Sequence, residues 1–155
     1  MADIYIALGS NIGDRRVNID SAISMLSKRG FDIVKISDCI ETKPYGVTEQ
    51  ADFLNAVLMA RTALSPEEAL PVLKQIEKDM GRTESVRWGP RLIDLDIIMY
   101  GDVIIDSETL KIPHPDMLGR IFVLKPFSQI AGSVIHPVTG KSIDSHLKEI
   151  GVDES

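Results

Sequence analysis

A single cysteine, Cys39, stands in the 155 residues of the chain. One thiol builds neither a disulfide framework nor a thiolate metal cluster, and the lack of both suits a reducing compartment. Cys39 itself reads as a buried thiol. Long apolar runs are missing too, none approaching the roughly 20 residues that a membrane span requires. The opening residues MADIYIALGSN lack the basic start, apolar stretch and small-residue cleavage site of a signal peptide. The expectation is a chain that is not exported, has no membrane partner and works in the cytoplasm. Positive charge is in short supply as well. With 17 Lys and Arg against 23 Asp and Glu, the formal net charge is −6, which argues against a nucleic-acid partner, since backbone phosphates are held by clustered basic side chains. Repeats, linkers and low-complexity segments are absent. At this length, and with 44% hydrophobic residues, one domain over 1–155 with its own core is expected, working as a monomer, with a dimer left open.

What is present falls into alternating elements. Ile4 to Leu8 reads as a short strand running into Gly9-Ser10-Asn11, followed by a helix carrying Ile19, Ala22, Ile23 and Leu26 and ending at Gly30. Phe31–Ile36 and Phe53–Leu64 read as strands on either side of the loop TKPYGVTEQAD. Ser65-Pro66-Glu67-Glu68 is a helix start with Ser as cap, Pro at the first helical position and Glu three residues after the cap. Ala69, Leu73, Ile76 and Met80 form its buried stripe, Gly81 closes it, and Pro71 is expected to bend or delay it. Leu92–Tyr100 is the next strand, and the proline-punctuated tail holds a last short helix around Ile143–Leu147. The order strand, helix, strand, strand, helix, strand predicts an α+β fold. It is a ferredoxin-like βαββαβ core with an antiparallel sheet, helices packed on it, and C-terminal additions.

Chemistry concentrates in RWGPRLIDLDIIMYG. A period of two puts Leu92, Asp94, Asp96 and Ile98 on one face of the strand and Ile93, Leu95, Ile97 and Met99 on the other. Strand residues two apart lie about 6.6 Å from each other at roughly 3.3 Å rise per residue, a spacing at which converging carboxylates flank two ions about 3.5 to 4 Å apart. Hard oxygen ligands imply Mg²⁺. The plainer alternative is a pair of solvent-facing aspartates on an edge strand. Within so apolar a run, however, two like charges repel and are costly to desolvate unless a cation compensates them. Arg82, Arg87 and Arg91 precede the pair and reverse the overall charge locally. Guanidinium groups grip phosphate oxygens bidentately, so the cluster suits a polyphosphate, although any one of them alone fits a solvated basic loop. Trp88 adds a flat apolar surface, or simply an anchor for its loop.

Together with GSN at 9–11, FLNAV at 53–57 and PHPDMLGRIFVLKPF at 113–127, this stretch resembles the 6-hydroxymethyl-7,8-dihydropterin pyrophosphokinases, and the resemblance runs over nearly the whole chain. It implies transfer of the pyrophosphoryl group of ATP to the hydroxymethyl oxygen of a reduced pterin, with release of AMP, on the route to folate. Two Mg²⁺ ions would be held by Asp94 and Asp96, and ATP would be the co-substrate. Arg82 and Arg91 would contact the reacting phosphates as catalytic residues. Lys74, Glu77, Arg87, Trp88, Ile97, His114 and Arg120 would surround the nucleotide. The pterin would stack between Phe53 and Phe122, with Asn55, Thr42, Pro44 and Tyr45 at its polar edge. Taken singly, several of these have ordinary readings: Lys74 and Glu77 as an exposed pair one turn apart, His114 as a structural histidine between two prolines, Phe53 and Phe122 as core aromatics. Between Arg82 and Trp88 the chain reads TESVR, shorter than in some relatives and with Glu84 where positive charge is expected. Nucleotidyl and glycosyl transferases also use D-x-D pairs, but the two phenyl groups and Asn55 favour a planar ring over a sugar. A non-catalytic ferredoxin-like binding module would leave the pair without a purpose.

Overall fold

The computed structural model describes residues 1–42, 52–81 and 92–154, the side chains of the last four of these excepted. β1 (Ala2–Ser10) sends Ile4, Ile6 and Leu8 into one apolar cluster and Tyr5 and Ala7 into another, as alternation across a pleated strand requires. α1 (Arg15–Lys28) is capped by Asp14, whose carboxylate accepts the Val17 N–H at 3.1 Å. Gly30, at a φ of 105°, makes the turn into β2 (Phe31–Ile36). A three-residue strand that sequence patterning did not signal, β3 (Ile40–Thr42), pairs with the start of β4 (Phe53–Thr62).

α2 (Pro66–Asp79) begins with the expected reciprocal cap, the Ser65 hydroxyl accepting the Glu68 N–H and the Glu68 carboxylate accepting the Ser65 N–H. It starts at Pro66 and continues through Pro71, so the helix is not delayed. The bond that Pro71 removes would have ended on Glu67 in the first turn, and both residues are exposed, so water can take the donor's place. β5 (Asp94–Tyr100) follows, then a small hairpin of β6 (Ile105–Asp106) and β7 (Lys111–Ile112), and a 3₁₀ turn at Met117–Gly119. The tail departs from expectation. Where a single short helix was read, α3 (Ile121–Ala131) accommodates Pro126, and α4 runs from Ile143 to Glu154.

The main sheet has the order β2-β4-β1-β5, with β3 against β4, and its pairings are antiparallel. This is the split βαβ arrangement, with β5 on an edge. α1 and α2 bury Ile19, Ala22, Leu26, Ala69, Leu73 and Ile76 on one face, and α3 and α4 bury Val123, Leu124, Phe127 and Ile143 on the other.

One local irregularity alters the predicted faces of β5. Tyr5 lies opposite Met99 but Ile6 opposite Ile97, which leaves Ile98 as an extra residue. Met99, expected beside Ile97, therefore packs with Ile98 in the second cluster, while Ile93, Leu95 and Ile97 stay in the first. Cys39 is half-buried rather than buried. Among the described residues no helix is long and apolar enough to cross a membrane.

Candidate active site

On the α3 side of the sheet a cavity of about 710 Å³ opens between the ends of β1, β4 and β5, the segment 114–120 and the start of α3. Asp94 and Asp96 both line it, each half-buried. Their backbone partners on β1 are Gly9 and Ala7, so no bulky side chain stands across from either carboxylate. Gly9 has a further role. A Cβ there would come within 3.3 Å of Asn55 Oδ1, a tight contact, and would touch a Phe53 ring carbon at an ordinary 3.6 Å, so the absence of a side chain gives the Asn55 amide its room beside β1.

Phe53, Asn55 and Phe122 line the same cavity. Asn55 is 7% exposed, and its amide nitrogen donates to Thr42 Oγ1 at 2.8 Å and to the Ile40 carbonyl at 3.5 Å. With the nitrogen committed to β3, Oδ1 is the atom offered to a ligand as acceptor. Arg15 braces this corner from α1: one terminal nitrogen donates to the Asp52 carbonyl at 2.8 Å and the other meets Glu41 at 2.6 Å. Glu41 and Asp52 are the chain neighbours of Thr42 and Phe53. The sequence reading missed Arg15, whose partners are remote along the chain.

His114 and Arg120 also reach the cavity. The His114 N–H donates at 2.9 Å to the carbonyl of Ile98, the extra residue of β5. Its Nδ1 accepts the Asp116 N–H at 3.1 Å, which places the proton of the neutral ring on Nε2. Burial pulls the His114 pKa below the ordinary histidine value, Asp96 and Asp116 working against that shift and Arg120 with it. Arg120 pairs with Asp116 at 3.5 Å and lies over the Phe122 ring, 5.7 Å from its centroid. Asp116 was another omission, although it sits in the quoted PHPD stretch.

Three expected nucleotide residues lie elsewhere. Ile97 faces the α1 and α2 cluster and is 4% exposed. Lys74 and Glu77 sit on α2, across the sheet from the cavity. Glu77 is not half of an exposed pair: it is 2% exposed and accepts the Leu95 N–H at 2.9 Å, with Lys74 at 3.5 Å. Pro44, Tyr45, Arg82, Arg87, Trp88 and Arg91 lie outside the described residues.

Two adjacent carboxylates supply hard oxygen donors, and among the described residues no group of three or more His, Cys, Asp or Glu is arranged to cage a metal. Such a donor set fits a hard divalent cation that completes its shell with water and substrate phosphates, the habit of Mg²⁺. Carboxylates, two phenyl faces, an oriented amide and a neutral imidazole in one cavity, at the end of an antiparallel α+β sheet, define a group-transfer enzyme for a flat polar substrate. Comparisons with known proteins make this particular. The profile of the 7,8-dihydro-6-hydroxymethylpterin-pyrophosphokinase (HPPK) family matches residues 5–132, and the chain belongs to that family.

Two bacterial relatives carry the name 2-amino-4-hydroxy-6-hydroxymethyldihydropteridine pyrophosphokinase. The Aquifex aeolicus protein is 45% identical over 149 residues, covering 96% of this chain and 92% of its own length. The Bacillus subtilis protein is 42% identical over 156 residues, covering 97% and 93%. A folic acid synthesis protein of Pneumocystis carinii is 48% identical over 147 residues, 95% of this chain, but the chain spans only 20% of it. Among solved structures, the Plasmodium falciparum HPPK-DHPS matches with a TM-score of 0.74 at 15% identity, over 96% of this chain and 43% of that one, a likeness that shows the fold.

Proposed function

We infer that the cavity is where this pyrophosphokinase moves the pyrophosphoryl group of ATP to the hydroxymethyl oxygen of 6-hydroxymethyl-7,8-dihydropterin, with Asp94 and Asp96 as ligands of two Mg²⁺ ions. The observation that carries the reading is that one cavity is lined by both carboxylates and by Phe53, Asn55 and Phe122. That shared lining supports acceptor binding and phosphate binding at a single place. The acceptor oxygen attacks the β-phosphorus, the bond from that phosphorus to the bridging oxygen of AMP breaks, and the hydroxyl proton is lost.

Each residue has a defined part. Phe53 and Phe122 offer faces for offset stacking of a heteroaromatic ring, and Asn55 Oδ1 accepts from a ring amino group. His114 presents Nε2–H as a donor to a phosphate oxygen and, with its pKa lowered by burial, stays neutral near pH 7. Arg120 adds positive charge at the same wall. Asp94 and Asp96 would hold Mg²⁺, which would supply neutralisation of phosphate charge and alignment of the attacking and leaving oxygens. By the family resemblance Arg82 and Arg91 would complete the phosphate contacts, and Arg87 and Trp88 would contact the nucleotide.

The test is phosphorus NMR of a reaction with ATP, Mg²⁺ and the pterin. Conversion of the ATP signals to those of AMP and a pterin diphosphate is expected. Signals of ADP and a pterin monophosphate would overturn the reading.

A further inference from the structure

β5 is the edge strand of the sheet, so alternate backbone groups along it face away from β1. The outward-facing groups are met from two sides. The Ile98 carbonyl accepts the His114 N–H at 2.9 Å. The Leu95 N–H donates to Glu77 Oε2 at 2.9 Å, and Leu95 is the residue between Asp94 and Asp96. Burying a carboxylate at 2% exposure is costly compared with burying an apolar or amide side chain. Lys74, itself 49% exposed, meets its other oxygen at 3.5 Å. Among the described residues β5 pairs with β1 alone in the main sheet, and the bond from Glu77 to the Leu95 N–H adds a hold on its outer side to the pairing with β1 on its inner side. The tilt of the peptides around Leu95 decides where the two neighbouring carboxylates point.

We propose that Glu77 is a positioning residue for the metal-binding pair: by holding the Leu95 amide from across the sheet it fixes the direction of Asp94 and Asp96, without touching the nucleotide. The proposal rests on the reading of those aspartates as Mg²⁺ ligands. It departs from the nucleotide contact that the family resemblance implies, because α2 packs on the face opposite the cavity and Glu77 does not line it. Partners that hold a ligand in place typically change metal affinity by about 10–100-fold when lost.

Two variants separate reach from charge. Glu77→Gln keeps an acceptor at the same distance and loses the charge. Glu77→Asp keeps the charge and falls one methylene short of Leu95. The measurement is Mn²⁺ affinity by electron paramagnetic resonance, in the presence of a non-hydrolysable ATP analogue, together with hydrogen exchange of the Leu95 amide and KM for the pterin. Glu77→Gln is expected to bind Mn²⁺ within about threefold of wild type with a protected Leu95 amide. Glu77→Asp is expected to bind it at least about tenfold more weakly, with faster Leu95 exchange and an unchanged KM for the pterin. The reverse order, equal loss in both variants, or no loss in either overturns the proposal. Asp96→Asn is the control: if it too retains full Mn²⁺ affinity, the metal assignment fails rather than the role of Glu77.

Discussion

Asn55 shows how much of the site is settled by single hydrogen bonds. Its nitrogen is tied to Thr42 and Ile40, so the amide cannot turn to suit a ligand, and a ring must arrive with a donor facing Oδ1. Phe122 stands at the start of α3, packed against the second cluster with Arg120 over its face. Phe122→Ala removes one stacking face and the cation's partner. We expect KM for the pterin to rise roughly thirtyfold, from about 2 kcal/mol of lost stacking and burial, with kcat changed much less. Steady-state kinetics at saturating ATP would show it, and an unchanged KM would remove Phe122 from the pterin site. The aspartates were legible at this scale because a period of two is written in the residues themselves. Glu77 was legible only as a family position, since its partner Leu95 is set by packing of α2 against β5, which no local pattern encodes.

At the scale of elements, local chemistry was readable where it is self-contained. The Ser65 cap needs nothing beyond its own four residues, and it forms as written. Ser65→Ala should cost about 1 kcal/mol, seen as a lower midpoint in urea with an unchanged slope; full stability would mean that the helix start is held by packing alone. Two other elements were hidden. β3 is three residues long, too short for an alternation to declare itself, and exists because β4 offers it an edge. α3 carries Pro126, a residue unfavourable inside a helix, yet Val123, Leu124 and Phe127 bury against the sheet and the packing prevails over propensity. The extra residue at Ile98 was equally invisible, because it depends on the register between β1 and β5. It bears on the proposed site, since its carbonyl accepts the His114 N–H and both His114 and Asp96 line the cavity.

Across the whole molecule, the strand and helix order predicted the sheet correctly, because connections between neighbouring elements leave few ways to build this arrangement. The C-terminal addition was underestimated, and it brings a property of its own. His136, on the connection between α3 and α4, is buried; its Nδ1 accepts the Val138 and Thr139 N–H groups at 3.2 and 3.3 Å, and its ring meets His146 edge-on, 5.8 Å away. Burial, reinforced by His146, lowers its pKa. The unfolded chain therefore binds this proton more readily than the native one, and stability present above about pH 6.5 is lost as pH falls towards the depressed native value. His136→Asn keeps an acceptor for the turn without the titrating ring, so urea unfolding between pH 7 and 5 should show a shallower loss than wild type. Parallel curves would place the acid sensitivity elsewhere.

The central claim, that one cavity joins a pterin and a metal-held triphosphate for pyrophosphoryl transfer, is tested most directly by AMP release from ATP and Mg²⁺. It should be measured with and without 6-hydroxymethyl-7,8-dihydropterin, in wild type and Asp96→Asn. The account predicts AMP formation that requires the pterin and falls by more than about a hundredfold in a folded Asp96→Asn, beyond what loss of a merely supporting contact costs. AMP formation at the wild-type rate in that variant, or ADP in place of AMP, would contradict it.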